Sequence, residues 1–134
     1  MRYVIDTNIW IRVLRKEKKV KGPLEAALAR NDAIFIAAIV YFELRRGLQA
    51  RGDTKSIQFI EDFLASKSDV YQECSQPVWD TATGLWVTAR KNNQARGDAD
   101  ILIAAFARQL DATVVTDNEK HFIHLGVPIE NWSQ

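Results

Sequence analysis

The stretch "RYVIDTNIW", residues 2 to 10, places an acid directly after a short apolar run. Residues 3 to 5 have the composition of a buried β-strand, and Asp6, Thr7 and Asn8 interrupt the apolar pattern before it resumes. In one interpretation, one of these three side chains caps a helix, because Asp, Thr and Asn accept hydrogen bonds from the free amides of a first turn. In the other, Asp6 is a reactive carboxylate, which requires partners elsewhere in the chain.

Beyond this stretch, short β-branched runs alternate with longer segments of helical periodicity. We predict strands at "YVI" (3 to 5), "IFIA" (34 to 37), "DVYQ" (69 to 72), "TVVT" (113 to 116) and "VPIE" (127 to 130). Helices are predicted at 8–15, at 22–30 with Pro23 in the first position, at 39–49, at 53–65, from about residue 77 onward, and at 98–110. Strands that alternate with helices are typical of an α/β fold, so we expect a central, mainly parallel sheet.

Length and composition limit the class of protein. The 134-residue chain, with 47% hydrophobic and 26% charged residues, is expected to form a single domain over residues 1–134 rather than a disordered segment. The longest apolar run, residues 33 to 42, is about half of the roughly 20 residues that cross a bilayer. We therefore expect no membrane span, and polar residues among the first ten argue against a targeting segment.

The cysteine count and the net charge limit the class of protein further. With Cys74 as the only cysteine, the chain has no internal disulfide and no Cys/His zinc cluster, which is typical of a cytoplasmic protein. The net charge of +1 gives no general attraction to nucleic acid. Binding to a polyanion would therefore depend on local basic clusters.

Four acids stand at the ends of predicted elements. Asp6 follows the first strand and Asp117 follows "TVVT", while Glu43 and Asp100 lie on the helices at 39–49 and 98–110. In an open parallel sheet, residues just past the carboxyl ends of the strands line one crevice, so we expect Asp6 and Asp117 to be neighbours. Each acid taken alone has a simpler interpretation, as a helix cap, an exposed helical acid or a turn residue.

Asp98 and Asp100 are expected to have different roles. Two residues along a helix correspond to about 200° of rotation, so the two side chains point to nearly opposite sides. Asp98 follows Gly97 and suits the N-cap position, whereas Asp100 shares a side with residues that face the sheet. We therefore predict that Asp100 belongs to the crevice and that Asp98 supports it as the helix cap.

Several carboxylates in one crevice predict a cation. Converging acids repel and raise one another's pKa values unless a positive charge lies between them. Mg²⁺ prefers oxygen ligands and is usually held by one or two carboxylates with several waters. Such an ion polarises a phosphoryl oxygen and lowers the pKa of a bound water, so hydrolysis of a phosphodiester is the expected chemistry.

Four blocks, "YVIDTNIWI", "AAIVYFELRRG", "GDADILIAAFA" and "TVVTDNEKHF…VPIENW", together resemble the PIN domain, specifically the VapC ribonuclease toxins of prokaryotic toxin–antitoxin pairs. The blocks occur in the family's order and span nearly the whole chain. The resemblance implies a three-layer α/β/α fold and a Mg²⁺-dependent endoribonuclease, with Mn²⁺ as a possible substitute. It also implies a homodimer, or a complex with a VapB-type antitoxin, and a structured RNA such as tRNA as substrate.

The resemblance also assigns the site residue by residue. It makes Asp6, Glu43 and Asp100 the first three family acids, with Asp6 and Asp100 as direct metal ligands. The fourth position is open between Asp117, which we favour, and Asn118, where relatives often carry the acid or Asn. Two further residues, Asn8 and Thr116, are expected to support the acids.

Basic residues near the acids are the expected phosphate contacts, since Arg and Lys supply most of the counter-charge to RNA. The candidates are Arg45, Arg46, Arg90, Lys91 and Arg96. An ordinary solvated helix face is the alternative for each of them. The two histidines, His121 and His124, are not expected to be ligands, and most of the four tryptophans are expected in the core or at a dimer contact.

Two other functions remain open from the sequence. A haloacid-dehalogenase-type phosphatase also carries an Asp after its first strand, but it needs a second Asp where this chain has Asn8. A PIN fold that binds RNA without cleaving it is the other alternative. The complete set of acids argues against that binding module.

Overall fold

The computed structural model describes residues 1–67 and 70–134. Within these ranges the strands are β1 (Arg2–Ile5), β2 (Ala33–Ala37), β3 (Tyr71–Gln72), β4 (Thr113–Val115) and β5 (Ile129–Glu130). The helices are α1 (Thr7–Leu14), α2 (Lys18–Ala29), α3 (Ala38–Ala50), α4 (Thr54–Ser66), α5 (Gln76–Lys91), α6 (Asp98–Leu110) and α7 (Glu119–Phe122). None of the helices in these ranges has the length and apolar character needed to span a membrane.

The strands form one sheet in the order β3-β2-β1-β4-β5, and every pairing between the described strands is parallel. The chain builds outward from β1 in one direction through β2 and β3, and in the other through β4 and β5. The direction in which successive strands are added therefore reverses between β1 and β4, and such a switch point opens a crevice at the carboxyl ends of the two strands. Ile5 is opposite Val115 in this pair, so Asp6 and Thr116 emerge side by side.

The sheet lies between two layers of helices. Tyr3, Val4 and Ile5 are all buried, although successive side chains of a strand point to opposite faces. Helices α2 and α3 pack against β2, and α6 packs against β1 and β4. The predicted α/β fold, with three layers and a mainly parallel sheet, is confirmed.

Most element positions match the prediction to within a few residues, but the start of α2 does not. The helix begins at Lys18, so Pro23 lies inside it rather than at its first position. Val20 in the additional first turn is fully buried, and its packing offsets the hydrogen bond that proline cannot donate. The predicted strand at 69–72 is confirmed at Tyr71 and Gln72, while Asp69 is outside the described residues.

The N-cap of α6 also differs from the prediction. Gly97 has extended backbone angles and occupies the cap position, and Asp98 is the first helical residue. The side chain of Asp98 is exposed. The prediction that Asp98 caps the helix is therefore wrong, because the extended conformation falls one residue earlier, on Gly97.

Candidate active site

Asp6 is a buried carboxylate at the end of the central strand. Its Oδ1 accepts a hydrogen bond from the Thr7 amide at 2.7 Å, which makes Asp6 the N-cap of α1. Its Oδ2 accepts a hydrogen bond from Thr116 Oγ1 at 2.8 Å. The capping interpretation is thus confirmed for Asp6, and capping uses only one of its two oxygens.

Glu43 reaches the same crevice from α3. Thr7 Oγ1 donates to Glu43 Oε1 at 2.8 Å, so the residue after Asp6 fixes the second acid. The other oxygen, Oε2, lies 3.7 Å from Nη2 of Arg46, whose side chain is 61% exposed. Such an exposed pair is weak, and it leaves Glu43 free to face another cation.

Asp100 lies in the first turn of α6, at the positive end of the helix dipole. Its Oδ2 is 3.2 Å from Nδ1 of His121 on α7. Asp98, two residues earlier, instead lies on an exposed surface with Trp79, Trp86 and Leu102. The two acids therefore lie on different sides of α6, as the rotation along a helix predicts.

The three acids act on one another electrostatically. Burial raises the pKa of Asp6 to about 6, although the Thr116 and Thr7 hydrogen bonds act in the opposite direction, and the charges of Asp100 and Glu43 raise it further. Burial also raises the pKa of Asp100, the contact with His121 opposes that shift, and the charge of Glu43 adds to it. Asp6, Glu43 and Asp100 thus form one electrostatic cluster of like charges.

Asp117 is held differently from the other three acids. Its Oδ2 accepts hydrogen bonds from Arg12, whose Nε and Nη2 both lie 3.0 Å away. Its Oδ1 is buried and has no hydrogen-bond partner among the described residues. Arg12 therefore neutralises Asp117 through one oxygen, and the other oxygen still needs a donor or a cation.

The residues predicted to support the site divide into two groups. Thr116 is buried and donates a hydrogen bond to Asp6. Its hydroxyl accepts a hydrogen bond from the Asn118 amide at 2.9 Å, so Asn118 contributes to the site through its backbone. Asn8 is exposed, and its side chain makes no hydrogen bond to any of the described residues. The contact expected from Asn8 is made instead by Thr7.

The predicted RNA contacts also divide. Arg45 is occupied, because its Nη1 donates to Tyr41 at 2.6 Å and forms an ion pair with Glu61 on α4. Arg96 is occupied as well, since its guanidinium donates to four backbone carbonyls. Both side chains are engaged in contacts within the fold, and their expected role as phosphate contacts stays a prediction.

The other three basic residues are exposed. Arg46 lies over the ring of Phe42, with 5.1 Å between the guanidinium carbon and the ring centroid. Arg90 lies over Trp86 at 5.1 Å, and Lys91 ends α5 beside it. These cations remain available to a polyanion.

The acids suit a divalent ion held largely through water. Among the described residues, no three His, Cys, Asp or Glu side chains come close enough to form a ready-made metal cluster. Asp6 nevertheless lies buried beside two acids, with hydrogen bonds from a threonine and an amide but no cation. Mg²⁺ fits this donor set, because it keeps several waters and binds one or two carboxylates directly.

Two contacts of the acids are not evident from the sequence. His121 contacts Asp100, and Arg12 forms an ion pair with Asp117. Both pairs join residues far apart in the chain, and no local pattern marks them. The only sequence signal is the position of His121 directly before the buried Phe122, which fixes α7 against the core.

The tryptophans divide between the core and the surface. Trp10 is buried against Phe63, with 5.3 Å between ring centroids, and Trp132 is buried against Tyr3 at 5.1 Å. The other two are exposed on α5 and line an apolar cavity of about 400 Å³, namely Trp79 and Trp86.

The sequence matches known proteins over nearly its full length. The family model described as PIN domain matches residues 3–127. Ribonuclease VapC1 of Haemophilus influenzae (strain R2866) is 31% identical over 124 residues, covering 91% of this chain and 90% of that protein. Ribonuclease VapC2 of Rickettsia felis is 28% identical over 138 residues, covering the whole of both.

Solved structures show the same fold. The VapBC2 structure from Rickettsia felis, bound to a DNA fragment from the promoter, matches 98% of this chain and 99% of that chain with a TM-score of 0.86 and 27% identity. The VapBC-1 structure from nontypeable Haemophilus influenzae matches all of both chains with a TM-score of 0.81 and 27% identity.

Proposed function

The chain belongs to the PIN-domain family, and from that premise we propose that it is a divalent-metal-dependent endoribonuclease, the toxin of a VapBC-type pair. It acts as a single PIN domain over residues 1–134. The substrate is a structured RNA in the cytoplasm, and tRNA is the leading candidate. Support comes from the relatives named ribonuclease VapC and from the acids at the switch point of the sheet.

One observation carries the proposal. Asp6 is buried, its pKa is raised to about 6, and its neighbours are hydroxyl and amide donors and two further acids. A protein that only needed a helix cap would gain nothing from this arrangement, because an exposed Asp caps equally well. The arrangement is favourable once a cation offsets the clustered negative charge.

The residues have separate roles in this mechanism. Asp6 and Asp100 would hold the ion, Mg²⁺ or Mn²⁺, which when bound polarises a phosphoryl oxygen and lowers the pKa of a water. Thr116 and the Thr7 amide fix the carboxylate of Asp6. Glu43, fixed by the Thr7 hydroxyl, orients the water that attacks the phosphorus in line with the leaving oxygen.

The fourth acid would support the site without being a direct ligand. Arg12 neutralises Asp117 through Oδ2, and the buried Oδ1 would be available to accept a hydrogen bond from a water if an ion were bound. The side chain of Asn118 is not needed here, because its backbone amide already holds Thr116. These contacts support Asp117 over Asn118 as the fourth residue of the proposed site.

RNA binds through the exposed cations. Arg46 lies next to Glu43 and places positive charge at the edge of the acids. Arg90 and Lys91 extend the basic surface from the end of α5. Contacts of this kind fix the backbone of the RNA and carry no sequence information, so the choice of RNA depends on its shape.

The protein also has protein partners. Structures of its relatives from Rickettsia felis and Haemophilus influenzae are VapBC complexes, which supports a VapB-type antitoxin for this chain. The exposed Trp79 and Trp86 on α5 suit a homodimer contact, because large exposed aromatics usually mark an interface. Light scattering of the purified protein, with and without the Trp86→Gln substitution, tests the dimer by its mass.

The central experiment is cleavage of a total tRNA pool by purified, antitoxin-free protein. We expect discrete fragments with Mg²⁺, none with excess EDTA, and none from the Asp6→Ala variant. Thermal unfolding of that variant verifies that it is folded. If cleavage persists in EDTA, or if Asp6→Ala keeps full activity, the metal mechanism is wrong.

If folded wild-type protein leaves tRNA intact, the same assay is repeated with ribosomal RNA and messenger RNA. Metal-independent RNA binding without any cleavage would support the binding module instead. The phosphatase alternative has no support in the structure, because Asn8 stands where that chemistry needs an acid and is exposed.

A further inference from the structure

His121 contacts an acid of the site, although the proposed mechanism does not use it. Its Nδ1 is 3.2 Å from Oδ2 of Asp100. The ring is partly exposed and lines a cavity of about 370 Å³ together with Arg96, Gly97, Asp100 and Lys120. Asp100 therefore has an imidazole on one oxygen.

The position of His121 is fixed from two sides. Phe122, the next residue, is fully buried and anchors α7 in the core. Arg96 donates from Nε to the His121 carbonyl and from Nη2 to the Lys120 carbonyl, both at 3.1 Å. The same guanidinium donates to the carbonyls of Gln94 and Ala95, directly before α6.

The hydrogen bonds of Arg96 join the two segments that carry the contact between His121 and Asp100. Arg96 links the backbone of α7 to the loop that leads into α6, and these two helices carry His121 and Asp100. Four of the five N–H donors of this guanidinium thus bind backbone carbonyls, although the side chain lies near the acids.

The direction of the contact follows from the chemistry of the groups. An ionised carboxylate can only accept hydrogen bonds, so in this contact Nδ1 of His121 carries its hydrogen and is the donor to Oδ2 of Asp100. With that oxygen engaged, the carboxylate of Asp100 cannot rotate freely, and the lone pairs it still has are available to a cation. A hydrogen bond to a ligating side chain commonly sets its orientation in this way.

We propose that His121 is a positioning residue that orients the Asp100 carboxylate for the metal ion. The inference rests on the proposed function, since it assumes that Asp100 is a ligand. It concerns a residue for which no role was expected from the sequence. No change in the protonation of His121 is required.

The test compares two side chains of the same shape. Asparagine places its amide nitrogen as far from Cβ as Nδ1 of histidine, and leucine has the same branching without a donor. We expect His121→Leu to bind Mn²⁺ about 10-fold more weakly than the wild type, and His121→Asn to keep most of the affinity. Mn²⁺ affinity is measured by the loss of the free-ion signal in electron paramagnetic resonance.

Cleavage kinetics provide a second readout. In His121→Leu the Mg²⁺ concentration that gives half-maximal cleavage should rise by a similar factor, while the rate at saturating Mg²⁺ stays close to that of the wild type. Loss of a merely structural contact would not shift the metal dependence alone. If His121→Leu does not fold, His121→Phe replaces it, since it keeps a ring and lacks the donor.

His124→Leu is the matched control, because His124 is exposed and lines a different cavity, with Thr88 and Arg108. Equal Mn²⁺ affinity in His121→Leu and the wild type overturns the inference, and so does equal loss in the Leu and Asn variants. Failure of the wild type itself to bind Mn²⁺ would overturn the proposed metal site, which is a different outcome.

Discussion

Two aspartates at opposite ends of the sheet are about equally buried and have opposite electrostatic environments. Asp6 follows β1 and is 6% exposed, while Asp32 precedes β2 and is 8% exposed. Asp32 accepts from the amino terminus at 3.1 Å and from Arg30 at 2.7 Å. Among the described residues, the hydrogen bonds to the Asp6 carboxylate come from two neutral donors, the Thr7 amide and the Thr116 hydroxyl.

The pKa values follow this difference. Burial acts to raise the pKa of Asp32, but the hydrogen bonds from the amino terminus and Arg30 outweigh it, and the net shift is downward. Burial raises the pKa of Asp6 to about 6, and the neighbouring charges of Asp100 and Glu43 are negative and raise it further. Burial alone therefore does not set the direction of a carboxylate's pKa shift, because positive hydrogen-bond partners reverse it at Asp32.

The largest expected effect concerns the acids of α6. Asp100→Asn should reduce RNA cleavage by at least about 100-fold, because the lost negative charge is needed to hold the ion. Such a loss corresponds to a barrier higher by about 3 kcal/mol, at about 1.4 kcal/mol for each tenfold change in rate. The matched control is Asp98→Asn, two residues earlier and exposed, which should cleave within about twofold of the wild type. An equal loss of cleavage in both variants would show that the effect does not depend on which side of α6 the acid occupies.

The second prediction is the pH dependence of stability in EDTA. A raised folded pKa means that the folded state binds the Asp6 proton more tightly than the unfolded state, so stability is greatest below about pH 4 and falls as the pH rises through about 6. A shift from 3.8 to about 6 corresponds to about 3 kcal/mol, which Asp6→Asn should largely remove.

Urea unfolding of the wild type and Asp6→Asn between pH 4 and 8 measures this difference. Asp32 has the opposite sign, because its lowered pKa contributes stability above about pH 4 that is lost as the pH falls. Asp32→Asn should therefore destabilise the protein near pH 7. The comparison fails if both substitutions change stability at pH 7 in the same direction.

A third, smaller effect is stabilisation by the ion itself. At ten times its dissociation constant, Mg²⁺ should raise the free energy of unfolding by about 1.4 kcal/mol, because it binds only the folded state. Differential scanning calorimetry would detect this as a higher Tm. The increase should be absent in Asp6→Asn and unchanged in Asp32→Asn, and an increase in both would place the ion elsewhere.

The smallest effect separates two adjacent arginines. Arg46 is exposed and Arg45 is bound to Tyr41 and Glu61, which is the same contrast between an open and a satisfied charge. Arg46→Gln should weaken RNA binding a few-fold and lower the salt slope by about one. Arg45→Gln should lower Tm and leave the salt slope unchanged, as binding titrations at several salt concentrations will show.

The sequence predicted the fold well because the hydrophobic period is strong where the elements are long. The pattern of buried residues predicts only a strand at β1, β2 and β4, and only a helix at α6. The start of α2 was missed because Pro23 normally marks a first turn, and only the burial of Val20 shows that the helix begins earlier. Local propensity does not report tertiary packing.

The candidate site was predicted less evenly. The topology of a parallel sheet places Asp6 and Thr116 side by side, so their neighbourhood follows from strand order alone. The partners of the basic residues do not follow, because Arg45 and Arg96 look like free cations until α4 and α7 pack against them. The contact of His121 with Asp100 depends on the same packing.

The hydrogen bond between Thr116 and Asp6 joins residues 110 positions apart. During synthesis the ribosome delivers Asp6 early, and the strand that completes its surroundings comes only after all of α6. Asp100 and His121 also emerge late. A nascent chain that has not reached α6 therefore carries Asp6 and Glu43 without Asp100. Under the proposed mechanism it would not act on RNA around the ribosome until nearly all of the protein has been translated.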